Sequence, residues 1–152
     1  MKWKEEIIST IKYIAIGLIL AVFMNQGLGY ALGTQKPVMA VVSNSMAPTF
    51  YKGDLVIVRG IDPDQLLRGD IIVYQNPAKG IPIVHRVVKI EDYEGSLLFY
   101  TKGDHNFYTD QDPRSGISTP VKGEWINGRV IFIIPKLGYF KLGTMELIHK
   151  IS

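Results

Sequence analysis

Val41-Val42-Ser43-Asn44-Ser45-Met46-Ala47-Pro48 is a β-branched run that stops at two serines two positions apart, and Gly53-Asp54 beyond it opens another apolar run. A strand that ends in such a polar turn presents a hydroxyl at the rim of a sheet. Rigid scaffolds commonly carry chemistry on loops of this kind. Ser and Pro are also ordinary turn residues, so the stretch reads as well as a plain strand-ending turn. What bears on the choice lies further along, at His85, Asp104 and Asp110.

Outward from this stretch, short β-branched runs alternate with turn residues from Pro37 onward, which predicts an all-β body. Strands are expected at Val38–Val42, Leu55–Arg59, Ile71–Tyr74, Ile83–Ile90 and Leu97–Thr101, with a last one inside Trp125–Ile134, ended by Pro135. Glu94-Gly95 reads as the turn of a hairpin, Asp64 as the cap of a short turn through Leu67, and Asn76–Gly80 as a loop. Gly103 to Lys122 is polar and turn-rich, too irregular for a strand. The tail, Leu137 to Ile151, sets Leu137, Phe140, Met145 and Ile148 among lysines. That pattern suits an amphipathic helix and is too short in continuous apolar length to be a membrane span.

Upstream, Tyr13 to Gln35 carries no charge and follows Lys2, Lys4 and Lys12. About 20 apolar residues suffice to cross a bilayer. A membrane anchor fits the length and the preceding lysines. A cleaved secretory leader and a buried soluble helix are the competing readings. Asn25 and Gln26 are uncomfortable in hydrocarbon and fit best near an interface. The division expected is 1–35 as N-terminus and anchor and 36–152 as a β-rich domain, the 152 residues being enough for one domain with a real core and little more.

Composition narrows the chemistry. The chain has no cysteine, which excludes disulfides, thiol catalysis and Cys-type zinc sites. The formal charge is +3, without a Lys/Arg run and without aromatics interleaved among basic residues. No nucleic-acid partner is expected from that pattern, whereas an anionic lipid surface suits it.

Of the three histidines, His85 sits inside the apolar strand Ile83-Val84-His85-Arg86-Val87-Val88. An imidazole among aliphatics costs stability unless it has partners. It reads either as a core histidine satisfied by a carbonyl or as a general base, the task to which imidazole is best matched near neutral pH. A carboxylate would complete a Ser–His–Asp set. Asp104 and Asp110 both qualify, and spacing does not choose between them. Each also reads as an ordinary turn Asp. Asp104, His105, Asp110 and Asp112 faintly suggest a calcium loop, but the distal Glu such a loop needs is missing. No metal and no cofactor are expected.

Taken together, Ser43-Asn44-Ser45-Met46-Ala47-Pro48, Gly53-Asp54-Leu55, Arg68-Gly69-Asp70-Ile71, Ile81-Pro82-Ile83-Val84-His85-Arg86-Val87, Thr101-Lys102-Gly103-Asp104-His105-Asn106, Asp110 and Gly128-Arg129-Val130 occur in an order that resembles type I signal peptidase. The form resembled is the archaeal and endoplasmic-reticulum one, with His where the bacterial form has Lys. The resemblance implies Ser45 as nucleophile, His85 as base, Asp110 as the acid that orients the His, and Asp104 as a supporting acid. It also implies Ser43 and the Ser45 N–H as oxyanion donors. His105 stands where the family often has Asn, which makes it a weak rival for the base, and Asp110-Gln111-Asp112 replaces adjacent acids.

The implied activity is cleavage of signal peptides from preproteins after small residues. The implied partners are signal peptides, the lipid bilayer, and accessory subunits or a translocon. The implied setting is the cell or endoplasmic-reticulum membrane, single-pass, with residues 37–152 outside the cytoplasm. A non-catalytic, membrane-anchored β-domain that binds extended peptides is the alternative. A self-cleaving repressor-type protease would normally use a Ser–Lys pair and need a DNA-binding domain for which the chain has no room.

Overall fold

The computed structural model describes residues 2–77 and 80–137. The expected tail helix beyond Leu137, with His149, lies outside the described residues, as do Ala78 and Lys79 of the expected loop. One long helix, α1 (Lys2–Ala31), precedes a β-rich domain. Its strands are β1 (Val38–Ala40), β2 (Leu55–Arg59), β3 (Ile71–Gln75), β4 (Pro82–Tyr93), β5 (Ser96–Lys102), β6 (Val121–Lys122) and β7 (Ile126–Ile134). They form one sheet in the order β1-β2-β7-β3-β4-β5-β6. Every neighbouring pair is antiparallel.

Helix α1 is long and apolar enough to cross a membrane, and none of its apolar window is buried against the rest of the protein. That exposure overturns the buried-helix reading. Trp3 and the 93% exposed Tyr30 stand near its two ends, separated by about 40 Å at 1.5 Å per residue. That separation matches a bilayer with its headgroups, where Trp and Tyr are enriched. The helix stops at Gly33, whose φ of 62° closes a Schellman motif. Gly33 N–H donates to Tyr30 O and Thr34 N–H to Gly29 O, at 3.3 and 3.0 Å.

The helix end is stitched to the sheet. Gly60 N–H donates to Leu32 O at 2.7 Å, Val58 N–H to Pro37 O at 2.9 Å, and the Thr34 hydroxyl to Asn127 O at 3.0 Å. A Cβ on Gly60 would lie 1.9 Å from Gly33 O, so no larger residue fits there.

β3 is the central strand, and the two-residue period of a strand divides its side chains between two cores. Val73 joins Val41, Met46, Phe50, Val56 and Val58. Ile72 and Tyr74 join Leu66, Val87, Phe99 and Val121. Burying such a side chain is worth about 1.5–3 kcal/mol, so these two clusters hold the sheet.

Several boundaries differ from expectation. β1 stops at Ala40 because the backbone turns away to build the serine loop, although Val41 N–H still reaches Asp54 O. β4 and β5 run longer than expected, around a turn in which Glu94 and Gly95 have φ of 52° and 79°. Two positive φ values are what a tight hairpin turn requires. The stretch Gly103–Lys122 does contain a strand, β6, but only two residues of it pair with β5. Asp64 caps nothing. It lies inside a short 3-10 turn, Pro63–Gln65, whose leading residue is Asp62.

Candidate active site

The serine loop follows β1 and is anchored from below by two core side chains, Met46 and Phe50. Its polar tips are tied locally: Asn44 Oδ1 accepts Lys52 N–H and Asp54 Oδ2 accepts Tyr51 N–H, both at 2.8 Å. Ser45 O accepts the His105 backbone N–H at 2.9 Å. A Cβ on Gly103 would lie 2.6 Å from Ser45 O, so the close approach of this loop to the end of β5 requires glycine. The Ser43 and Ser45 hydroxyl oxygens are 3.1 Å apart.

His85 projects from β4, opposite Ile72 of β3. Its Nε2 is 3.0 Å from Ser45 Oγ and its Nδ1 is 2.6 Å from Asp110 Oδ2. With the proton on Nδ1 and directed at the carboxylate, Nε2 is an acceptor for the Ser45 hydroxyl. Spacing leaves Asp104 and Asp110 open as partners of His85, and the resemblance implies Asp110; the structure brings Asp110 to it. Asp110 comes within reach because its own N–H donates to Thr101 O at 2.8 Å, and the Ser115 hydroxyl donates to its carbonyl.

Asp110 Oδ2 is a shared acceptor. The Tyr74 hydroxyl donates to it at 2.9 Å and the Thr101 hydroxyl at 2.7 Å. Both residues are fully buried. Burial, reinforced by the Asp110 charge, pushes the Tyr74 phenol far above its ordinary value, so it stays protonated and donates. Sequence reasoning missed Tyr74 and Thr101, which look like ordinary strand residues.

Asp104 does another job. Arg86 grips it with two hydrogen bonds, Nε to Oδ1 at 2.8 Å and Nη2 to Oδ2 at 2.6 Å, and the Thr49 hydroxyl adds a third at 2.5 Å. The Arg86 guanidinium holds the carboxyl below its usual range. Because Arg86 follows His85 on β4 and Thr49 lies on the serine loop, this cluster fixes the loop to the strand that carries the imidazole. Asp112 pairs with Arg114, which holds its carboxyl at about 2. Among the described residues no group of three or more His, Asp or Glu could hold a metal ion. A cleft of about 470 Å³ adjoins the site, lined by His85, Asp110, His105, Phe107, Tyr108 and Ile117.

Residues 7–91 match the family described as "Signal peptidase, peptidase S26". The chain belongs to this family. Among curated signal peptidase relatives, the signal peptidase complex catalytic subunit sec11 of Pyrenophora teres f. teres is 38% identical over 138 residues, covering 87% of this chain and 77% of the relative. The corresponding SEC11 subunit of Leptosphaeria maculans is 36% identical over the same length. The signal peptidase complex catalytic subunit SEC11C of Homo sapiens is 37% identical over 92 residues, 60% of this chain. The match spans about half, 48%, of that relative's length. The segment matched to the signal peptidase family contains Ser43, Ser45 and His85, while Asp104 and Asp110 follow it.

Proposed function

We propose that this chain is a membrane-anchored serine endopeptidase that removes N-terminal signal peptides from preproteins by cutting after small residues. The single observation that carries this reading is the unbroken hydrogen-bond line from Ser45 through His85 to Asp110. A serine hydroxyl is a weak nucleophile until a base within hydrogen-bond reach takes its proton. His85 Nε2 takes that proton as Ser45 Oγ attacks the scissile carbonyl, and later delivers it to the leaving amine. Asp110 holds the imidazole in the Nδ1–H tautomer and stabilises the imidazolium without being protonated itself. The Ser43 hydroxyl and the Ser45 N–H receive the developing oxyanion, each such donor lowering the barrier by about 3 kcal/mol. Asp104 acts through Arg86 and Thr49, as a positioning residue.

The substrate enters as an extended strand. Among the described residues β1 is an edge strand, and Pro82–Val84 of β4 pair with β3 but not with β5. The Pro82–Val84 stretch therefore offers backbone groups to an added strand near Ser45 and His85. Residues 1–35 serve as cytoplasmic N-terminus and single-pass anchor, and 36–152 as the catalytic domain on the other side of a cell or endoplasmic-reticulum membrane. The anchor confines the site to the surface where a translocating preprotein emerges, which raises its effective concentration. The relatives' names as catalytic subunits of a complex support accessory subunits as partners of this chain too.

The test is cleavage of a preprotein by membranes that contain the wild-type chain, Ser45→Ala or His85→Ala. Trimming at one small-residue site by wild type, and loss of several orders of magnitude in both variants, is the expected result. Undiminished cleavage by Ser45→Ala would overturn the nucleophile assignment.

A further inference from the structure

A second polar cavity, of about 160 Å³, is lined by Arg59, Gly60, Ile61, Gln65 and Arg129. It is built on an uncomfortable pairing. Arg59 on β2 and Arg129 on β7 are directly opposite one another in the antiparallel ladder, where like charges destabilise a sheet. One carboxylate answers this pair: Asp70 meets Arg129 Nη1 at 3.3 Å. Among the described residues Arg59 has no ion-pair partner. The cluster keeps an unbalanced positive charge, and two guanidinium groups with the Gln65 amide offer donors suited to a tetrahedral oxyanion.

Its position says where the anion comes from. Gly60, next to Arg59 and part of the cavity wall, donates its N–H to Leu32 O at the end of α1. Tyr30, two residues before Leu32, stands exposed in the place an interfacial aromatic takes. The cavity wall is therefore hydrogen-bonded to the end of the candidate membrane helix.

We propose that this cavity binds the phosphate of a phospholipid headgroup and favours net-anionic lipids. Free inorganic phosphate shares the recognised chemistry; the place of the cavity beside the membrane helix favours the lipid. The bound headgroup would lock the angle at which the sheet meets the end of α1. This inference requires α1 to span the bilayer and does not depend on the roles of Ser45, His85 or Asp110.

The experiment uses the full chain in detergent micelles supplied with phosphatidylglycerol, with retained lipid counted by native mass spectrometry. Wild type is expected to retain one lipid, and Arg59→Gln to retain about fivefold less, the effect of one basic side chain at a membrane surface. Arg59→Lys, which keeps the charge, is expected to recover most of the retention. Arg129→Gln also breaks the Asp70 pair, so Arg59→Gln, which leaves that pair in place, carries the test. Cleavage of a soluble peptide at wild-type rate shows that the variant is folded. Equal retention by wild type and Arg59→Gln overturns the proposal. In a parallel arm without lipid, millimolar inorganic phosphate is titrated against melting temperature. Stabilisation of wild type but not of Arg59→Gln, together with equal lipid retention, overturns the lipid source and leaves a free-anion site.

Discussion

The Tyr74 hydroxyl and His85 Nδ1 meet on one atom, Asp110 Oδ2, at 2.9 and 2.6 Å. With the Thr101 hydroxyl on the same oxygen, the carboxylate is held by neutral donors on the side away from solvent. A buried carboxylate without such donors would lose several kcal/mol of solvation. Here the donors fix its direction and leave it able to face an imidazolium.

Tyr74→Phe removes one donor and keeps the ring in the core. A hydrogen bond to a charged group is worth about 1.5–3 kcal/mol. In peptide-cleavage kinetics, kcat is expected to fall about tenfold, with KM little changed because Tyr74 is buried away from the cleft. Thr101→Val is expected to act in the same direction. A purely structural role for Tyr74 would instead lower the melting temperature while leaving kcat intact, and that outcome would discard the positioning role.

Asp110→Asn replaces the acceptor with an amide that can direct N–H at the imidazole and favour the wrong tautomer. Under the proposed mechanism, loss of about 10⁴ in kcat is expected, by analogy with known serine triads. Ser45→Ala, His85→Ala and the double variant are expected to lose nearly the same amount, since residues that act as a unit are far from additive. Independent, additive losses measured in single-turnover assays would break the unit.

Asp104 gives a pH test. Its folded carboxyl lies below the ordinary 3.8. The stability it contributes is therefore fully present above about pH 4 and is lost as pH falls through the lowered folded value. Asp104→Asn is expected to lower the melting temperature near neutral pH by about 2–4 °C, equivalent to about 1 kcal/mol for a partly exposed pair. The gap between the two proteins should narrow progressively as pH falls below about 4 in thermal scans. A gap that stays constant across that range would mean the Arg86 pair contributes nothing through charge.

How much of this was legible in the sequence depended on where each signal resides. α1 announces itself through composition, because a membrane-length apolar run has few soluble uses. Ser45 and His85 stand out through residue type in context: a serine after a β-branched run, an imidazole among aliphatics. The choice of Asp110 over Asp104 is closed to spacing and comes only from the family resemblance, because both lie in or beside an irregular stretch whose path is set by single hydrogen bonds such as Asp110 N–H to Thr101 O. Tyr74 and Thr101 were invisible for the opposite reason. Aromatic and β-branched residues are the ordinary content of a strand, and their hydroxyls acquire meaning only when β3 and β5 bring them to one oxygen. β6 was missed because two paired residues leave no period to read.

Gly103→Ala probes the approach of the serine loop to the end of β5. A new Cβ would stand 2.6 Å from Ser45 O, well inside van der Waals contact, and the neighbour is backbone, which cannot swing aside. The loop must retreat, lengthening the hydrogen bond that Ser45 O accepts from His105 N–H and moving Ser45 Oγ from His85 Nε2. A displacement of about 1 Å at a reacting atom costs on the order of 100-fold in rate. The expected result is a loss of that size in kcat, with the two cores and the circular dichroism spectrum unchanged. Hydrogen exchange at the His105 amide should rise at the same time. If kcat falls while exchange at His105 stays as slow as in wild type, the loop has not moved and the geometric account of the loss is wrong.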